Sequence, residues 1–343
     1  MAATLQLSES DSVETTDRLL EVKDLKVEFR IEDGVVRAVN GLSYGLSAGE
    51  TVAILGESGS GKSVSAQAIM GIIDSPPGFI TGGSVKFEGR ELLTMGDEER
   101  RKIRGNDIGM VFQDALSALN PVYSVGWQIG EMFRMHRGMS RKEAKAESLR
   151  LMERVKIPDA AKRLRAYPFE FSGGMRQRIM IAMSIALDPK VLIADEPTTA
   201  LDVTVQAQVM DLLAELQTDY GMGLILITHD LGVVAEVADR VIVMYAGRGV
   251  EKGTLKEVFG QPAHPYTEGL MRSVPRSDVR VDRLEPIIGN PPDLLRLPKG
   301  CAFQPRCPYE QEDCLVDEPP LVEVEPGDSD RATACLHWED VYR

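Results

Sequence analysis

Residues Gly56-Glu57-Ser58-Gly59-Ser60-Gly61-Lys62-Ser63 fit the pattern G-x-x-x-x-G-K-[ST]. That pattern commits a chain to a strand, a tight glycine loop and a helix, in that order. Glycines there let successive backbone N–H groups and a helix N-terminus converge on one anion. The flanks agree. Thr51-Val52-Ala53-Ile54-Leu55 is a short apolar, β-rich run, and residues 64–72 read as a helix. The pattern makes Ser58, Gly59, Ser60, Gly61, Lys62, Ser63 and Val64 the phosphate cradle. Lys62 reaches the terminal phosphates and Ser63 places its hydroxyl on Mg²⁺. The implied ligand is a nucleoside triphosphate.

With 343 residues, 43 % of them apolar, the chain has room for about two domains with full cores. No window approaches the roughly 18 consecutive apolar residues needed to span a bilayer. The start is acidic and Ser/Thr-rich, with neither a basic opening nor an apolar stretch. Residues 1–18 are therefore expected to be a disordered tail, not a secretory signal, and the chain is expected in the cytosol. A formal net charge of −14 argues against broad nucleic-acid binding. The basic runs Arg100-Arg101-Lys102 and Arg141-Lys142 read as solvated helix faces.

Leu20, Val22, Leu25, Val27 and Phe29 are spaced as in strands, with turns at Gly34 and Gly49, which predicts antiparallel strands before the glycine loop. From Ser124 to about Arg165 the spacing becomes helical, with Met132, Phe133, Leu149, Met152 and Val155 on apolar faces. Strand and helix signals then alternate: strand 191–194, helix 203–218, strands 223–227 and 241–244. Such alternation implies an α/β core with a mostly parallel sheet flanked by helices. Twelve of the 19 prolines and all four cysteines lie beyond residue 260, which precludes long helices there. A boundary near Phe259 separates that region.

Two further segments carry chemistry. Val191-Leu192-Ile193-Ala194-Asp195-Glu196 is an apolar strand ending in two carboxylates, and a buried parallel strand delivers its C-terminal residues to the ligand crevice. Asp195 can hold Mg²⁺ through water, and Glu196 can orient and deprotonate the attacking water. Phe171-Ser172-Gly173-Gly174-Met175 precedes a helical run, so a Ser and two glycines at a helix start make a second anion site. One chain does not need two anion cradles so far apart. Two chains facing each other do.

The order of these motifs over residues 19–258 resembles the ATP-binding subunit of an ABC transporter. The resemblance implies a P-loop NTPase core with an antiparallel β subdomain and a helical subdomain at about 114–170. It also implies that Ser172, Gly173 and Gly174 of one subunit cap the γ-phosphate held by the other. Phe171 and Met175 depart from the commonest Leu-Ser-Gly-Gly-Gln form. Gln113 matches the loop glutamine that senses Mg²⁺ and the transmembrane partner. Ala200-Leu201-Asp202 resembles the loop contacting the opposite subunit, and His229 the switch histidine that bonds the γ-phosphate. Phe29 is the candidate for stacking on adenine. The implied partners are two transmembrane permease subunits, whose short helix docks beside Gln113, and a second ATPase subunit, more often a related chain than a copy.

Met244-Tyr245-Ala246-Gly247-Arg248, His264-Pro265-Tyr266-Thr267 and Gly289-Asn290-Pro291-Pro292 look like the oligopeptide and dipeptide importer branch. Its close relatives handle nickel and glutathione. A peptide-binding protein outside the membrane is implied indirectly, and the place implied is the cytoplasmic face of the bacterial inner membrane. Cys301, Cys307, Cys314 and Cys335 fall within 35 residues and suggest a metal staple. Zinc usually prefers a C-x₂₋₄-C pair, absent here, whereas a [4Fe–4S] cluster tolerates varied spacing. The run around Cys301 and Cys307 resembles the tail of peptide-importer ATPases carrying such a cluster. A soluble ABC-type ATPase acting on DNA or ribosomes is the rival reading. It fits one cassette without insertion and an acidic balance poorly.

Overall fold

The computed structural model describes residues 18–199, 201–273, 286–328 and 330–342. The expected tail therefore lies outside the described residues except for Arg18, which is folded and 3.5 Å from Asp330. Ala200 lies outside them as well.

The strands in chain order are β1 (Leu20–Ile31), β2 (Gly34–Leu46), β3 (Thr51–Leu55), β4 (Gly78–Phe87), β5 (Arg90–Glu91), β6 (Ile108–Val111), β7 (Val191–Asp195), β8 (Gly223–Ile227), β9 (Arg240–Tyr245), β10 (Arg248–Thr254), β11 (Val322–Glu323) and β12 (Ala332–Thr333). They form two sheets. The smaller is antiparallel, in the order β2-β1-β4-β5. Its β1 carries buried residues at 20 and 22, then at 25 and 27, a change of parity that a period-two strand cannot absorb without an extra residue. The register shifts between Val22 and Leu25, and Asp24 takes φ +47 with its N–H on Ser43 Oγ at 2.8 Å. This β-bulge keeps all four side chains in the core.

The larger sheet runs β11-β12-β10-β9-β3-β8-β7-β6, with β9, β3, β8, β7 and β6 parallel. Strands β3, β7 and β8 are buried at every position, as a sheet covered on both faces requires. Alternate residues serve opposite cores. Leu192, Ala194, Leu224 and Leu226 pack on the helices Gly173–Ser184 and Val203–Tyr220. Val191, Ile193, Ile225 and Ile227 pack with Leu20, Val22 and the helix Lys62–Met70.

The expected helical segment forms Val125–Arg137 and Arg141–Arg154, with Phe133, Met152 and Val155 buried and Met132 and Leu149 half-buried against them. A capping box, Ser140 with Glu143, starts the second helix. Arg101, Lys102, Arg141 and Lys142 are exposed as expected. Arg100 is not a solvated residue. Its Nη2 donates to the Ala68 and Ile69 carbonyls at 2.8 and 3.3 Å, closing the C-terminal end of Lys62–Met70.

Beyond residue 260 no described helix exceeds the eight residues of Pro265–Arg272, in line with the proline density. The helix Leu255–Gly260 runs through the expected boundary, and β12 pairs with β10 as an extension of the larger sheet. Arg331, just before β12, donates to the Glu251 carboxylate of β10 at 2.7 Å, and both side chains are almost fully buried.

Candidate nucleotide site and cysteine cluster

The glycine loop folds as it does because of close approaches that only glycine allows. A Cβ on Gly61, at φ +97, would stand 2.1 Å from the Ala38 carbonyl oxygen, and one on Gly56 2.3 Å from the Met244 carbonyl oxygen. Lys62 begins the following helix and is 4 % exposed. Its ammonium donates to the Gly56 and Glu57 carbonyls at 2.8 and 3.0 Å. Burial pulls its pKa below the usual lysine value, opposed by the carboxylates of Glu196, Asp195 and Glu57.

Next to it, Ser63 Oγ donates to Asp195 Oδ1 at 2.9 Å, joining the helix start to the end of β7. Burial pushes the Asp195 carboxyl above the usual range, against the pull of the Ser63 hydrogen bond. Glu196, one residue on, sits at φ +46, an uncommon conformation for a non-glycine residue. Its N–H is fixed to the Ile227 carbonyl at 2.8 Å. Its carboxylate accepts from Gln113 Nε2 at 3.0 Å and Thr199 Oγ1 at 2.8 Å, with His229 Nδ1 at 3.3 Å. The structure thus brings together Lys62, Ser63, Gln113, Asp195, Glu196 and His229 from four separate stretches of chain. Ser63, Asp195 and Gln113 offer the oxygen donors that Mg²⁺ takes.

Lys62, Ser63, Gln113, Glu196 and His229 border a cavity of about 860 Å³, and Asp195 stands behind Ser63, which it holds. Residues 56–64 form its floor, Gln113, Glu196 and His229 one side, and Phe29 the antiparallel-sheet side. Val36, Leu270, Ile287 and Leu294 form part of the remaining wall, and the sequence reading missed all four. They are ordinary apolar residues in no motif, so no local signal marks them.

Ser172, Gly173, Gly174 and Asp202 do not border this cavity. Ser172 caps Gly173–Ser184, accepting from Met175 N at 3.4 Å, and Asp202 caps Val203–Tyr220, accepting from Val205 N at 3.0 Å. The two helix starts touch, since a Cβ on Gly174 would lie 2.4 Å from Val205 Cγ1. Ser172, Gly173 and Asp202 are exposed.

Far along the chain, Cys301, Cys307, Cys314 and Cys335 border one small pocket together with His264, Phe303 and His337. Burial pushes the Cys301 thiol up, Cys307 to about 11 and Cys335 to about 12, with neighbouring thiols adding to the shift. Among the described residues, the group whose ligand atoms all lie within 4.8 Å of one another is Asp313, Cys314 and His337, not a trio of sulfurs.

The chain is 54 % identical over 320 residues to the oligopeptide transport ATP-binding protein OppD of Escherichia coli (strain K12), covering 93 % of each. It belongs to the oligopeptide/dipeptide family of ABC-transporter ATP-binding subunits. The ABC transporter family model matches residues 39–199 of this ATPase, and the model for the C-terminal region of oligopeptide/dipeptide transporters matches 250–314. The dipeptide transport ATP-binding protein DppD of Bacillus subtilis (strain 168) is 52 % identical, covering 87 % of this chain and 89 % of its own. A dimeric ATP-binding cassette solved with ADP and phosphate superposes with TM-score 0.62 at 27 % identity, covering 69 % of this chain and 98 % of that one. The α/β cassette expected from the motif order is thus the fold of this subunit. Among the described residues no helix is long and apolar enough to cross a membrane.

Proposed function

We propose that this ATPase energises the import of di- or oligopeptides from the cytoplasmic face of the inner membrane. It would work as a peripheral subunit with two permease subunits and a second, related ATPase chain, fed by an external peptide-binding protein. The observation that carries the mechanism is the convergence of Lys62, Ser63, Gln113, Glu196 and His229 on one cavity, with Asp195 bonded to Ser63, while the Ser172 helix start stands exposed away from it.

ATP lies with its phosphates on residues 58–64 and its base against Phe29. Lys62 offsets charge on the terminal phosphates. Ser63, Asp195 and Gln113 would hold Mg²⁺, which adds positive charge at those phosphates. Glu196 accepts a proton from the attacking water, and His229 contacts the γ-phosphate beside it. Ser172, Gly173, Gly174 and Asp202 serve the nucleotide of the opposite subunit. The exposed apolar side chains Phe112, Leu116, Val122, Tyr123 and Trp127, flanking Gln113, suit a permease helix.

The four cysteines fit a soft-metal group. One tetrahedral ion with bonds of about 2.3 Å would draw its sulfurs closer together than any trio of them lies here. The cysteine spacing favours a [4Fe–4S] cluster, whereas Asp313, Cys314 and His337 would suit zinc. Bound there, the cluster would supply cross-links among the turns of a segment with little regular structure.

The test is Glu196→Gln in the assembled transporter. ATP binding is expected to persist and hydrolysis to fall by several orders of magnitude, with dipeptides and tetrapeptides, not nickel or glutathione, stimulating the wild type. Wild-type turnover in the variant would sink the role of Glu196, and stimulation by nickel or glutathione alone would sink the substrate.

A further inference from the structure

Glu57 is a variable position of the glycine-loop pattern, yet each of its polar groups is engaged. Its carboxylate takes a two-pronged contact from Arg306, Nη1 to Oε2 at 2.7 Å and Nη2 to Oε1 at 3.0 Å. Its N–H donates to Tyr266 Oη at 2.8 Å, and its carbonyl accepts from Lys62 Nζ at 3.0 Å. Arg306 and Tyr266 come from the C-terminal region, more than 200 residues away in sequence.

Arg306 is itself firmly held. Its side chain is 4 % exposed, its Nε donates to the Ile288 carbonyl at 3.2 Å, and its Nη1 reaches Tyr245 Oη at 3.3 Å. The guanidinium also lies 5.8 and 5.9 Å from the ring centres of Tyr245 and Phe303. It sits in a run of tight turns: Gln304 N–H bonds to Cys301 O, Arg306 N–H to Phe303 O and Cys307 N–H to Gln304 O. Two of the four cysteines therefore bracket the turn that presents Arg306.

The loop it grips is packed tightly at Gly56 and Gly61 but open at Gly59, beside Glu57. Gly56, Gly59 and Gly61 all have positive φ, and a Cβ on Gly59 would meet nothing within 4 Å. A planar guanidinium fork fixes a carboxylate in direction as well as distance. Holding Glu57 fixes the carbonyl that accepts from Lys62, and so the ammonium that faces phosphate.

We propose that Arg306 is a positioning residue of the nucleotide site, through which the cysteine-bearing turn holds the phosphate loop in its binding conformation. Nucleotide affinity then depends on a segment outside the cassette's own motifs. This rests on the reading that residues 56–64 bind ATP.

The experiment titrates ATP into the full-length protein and follows hydrolysis in the assembled transporter. Wild type, Arg306→Met, Glu57→Gln and the double variant are compared. Arg306→Met is expected to weaken ATP affinity roughly tenfold, about the worth of one charge-assisted hydrogen bond in this part-buried pair. Hydrolysis at saturating ATP stays within about twofold, so KM moves and kcat does not. The double variant is expected to bind no more weakly than Arg306→Met, because both changes remove one interaction. Additive losses would identify two independent effects and overturn the proposal, as would wild-type affinity in a folded Arg306→Met protein. Should that variant fail to fold, Glu57→Gln carries the test from the loop side, and unchanged affinity there overturns it. A wild type that binds no ATP sinks the nucleotide reading too, whereas normal wild-type binding with an unaffected variant sinks this proposal alone.

Discussion

Arg331→Met removes one partner of the ion pair that joins the C-terminal region to the large sheet. Glu251 is 0 % exposed and accepts from Arg331 Nη1 at 2.7 Å, Ala263 N at 2.7 Å and His264 N at 3.0 Å. Breaking a buried pair from one side costs about 3–5 kcal/mol, because it strands a charge away from water. The two backbone N–H donors remain on Glu251, which sets the expected loss near the lower end, about 3 kcal/mol. At about 2.1 cal/mol/K of unfolding entropy per residue, a chain of 343 residues should lose about 4 °C in melting temperature. The loss has a pH signature. Burial already raises the Glu251 carboxyl above its ordinary 4.5, with Arg331 the leading opposing influence, so the variant raises it further. An acid whose folded pKa lies above its unfolded value binds protons more tightly when folded. It therefore favours folding at low pH, and that contribution is lost as pH rises through the folded pKa. The deficit of Arg331→Met should be largest at pH 8 and shrink toward pH 5.5. Thermal melts at both pH values check this, and adding Glu251→Gln should recover part of the loss at pH 8. A deficit that grows on acidification, or a double variant that melts below the single one, would refute the reasoning.

Three further changes probe the sites. Gly61→Ala forces a side chain into φ +97 and onto the Ala38 carbonyl, and is expected to abolish measurable ATP binding in a titration while lowering stability by about 1–3 kcal/mol. Gly174→Ala presses on Val205 at the start of Val203–Tyr220. It should leave ATP binding by the isolated chain intact but depress hydrolysis in the assembled transporter, and equal losses of both would rule out a role across the dimer. Protein purified without oxygen is expected to hold about four irons with matching sulfide and a broad brown absorption. Colourless protein with one zinc would assign the pocket to a single ion.

Legibility followed how local each signal was. The glycine loop, the acidic end of β7 and His229 after β8 are short runs whose residue types fix both backbone and chemistry, and the fold gathers them on one cavity. The parity change between Val22 and Leu25 also held the bulge at Asp24, though the strand spacing alone did not announce it. What stayed hidden depends on pairing distant segments. Nothing in Ala332–Thr333 says that it will pair with Arg248–Thr254, since two residues carry no period. Leu270, Ile287 and Leu294 became cavity wall by packing against the buried cluster around Leu55, Tyr245 and Tyr266, and Arg100 is half-buried because its guanidinium reaches the carbonyls of Ala68 and Ile69.

The same contrast explains why one chain carries half of each proposed site. Residues 172–174 are rigidly placed: Arg176 Nε holds the Pro168 carbonyl at 3.0 Å, and Gly174 abuts Val205. Such rigidity around an exposed serine that caps its own helix contributes little to this chain's core. Preorganised donors are useful where charge has to be stabilised without further rearrangement. On the proposed reading that charge belongs to the nucleotide of the opposite chain. Hydrolysis then depends on two chains meeting, while binding depends on one. Turnover per chain in a dilute preparation of the isolated subunit should therefore rise with protein concentration, whereas ATP affinity should not.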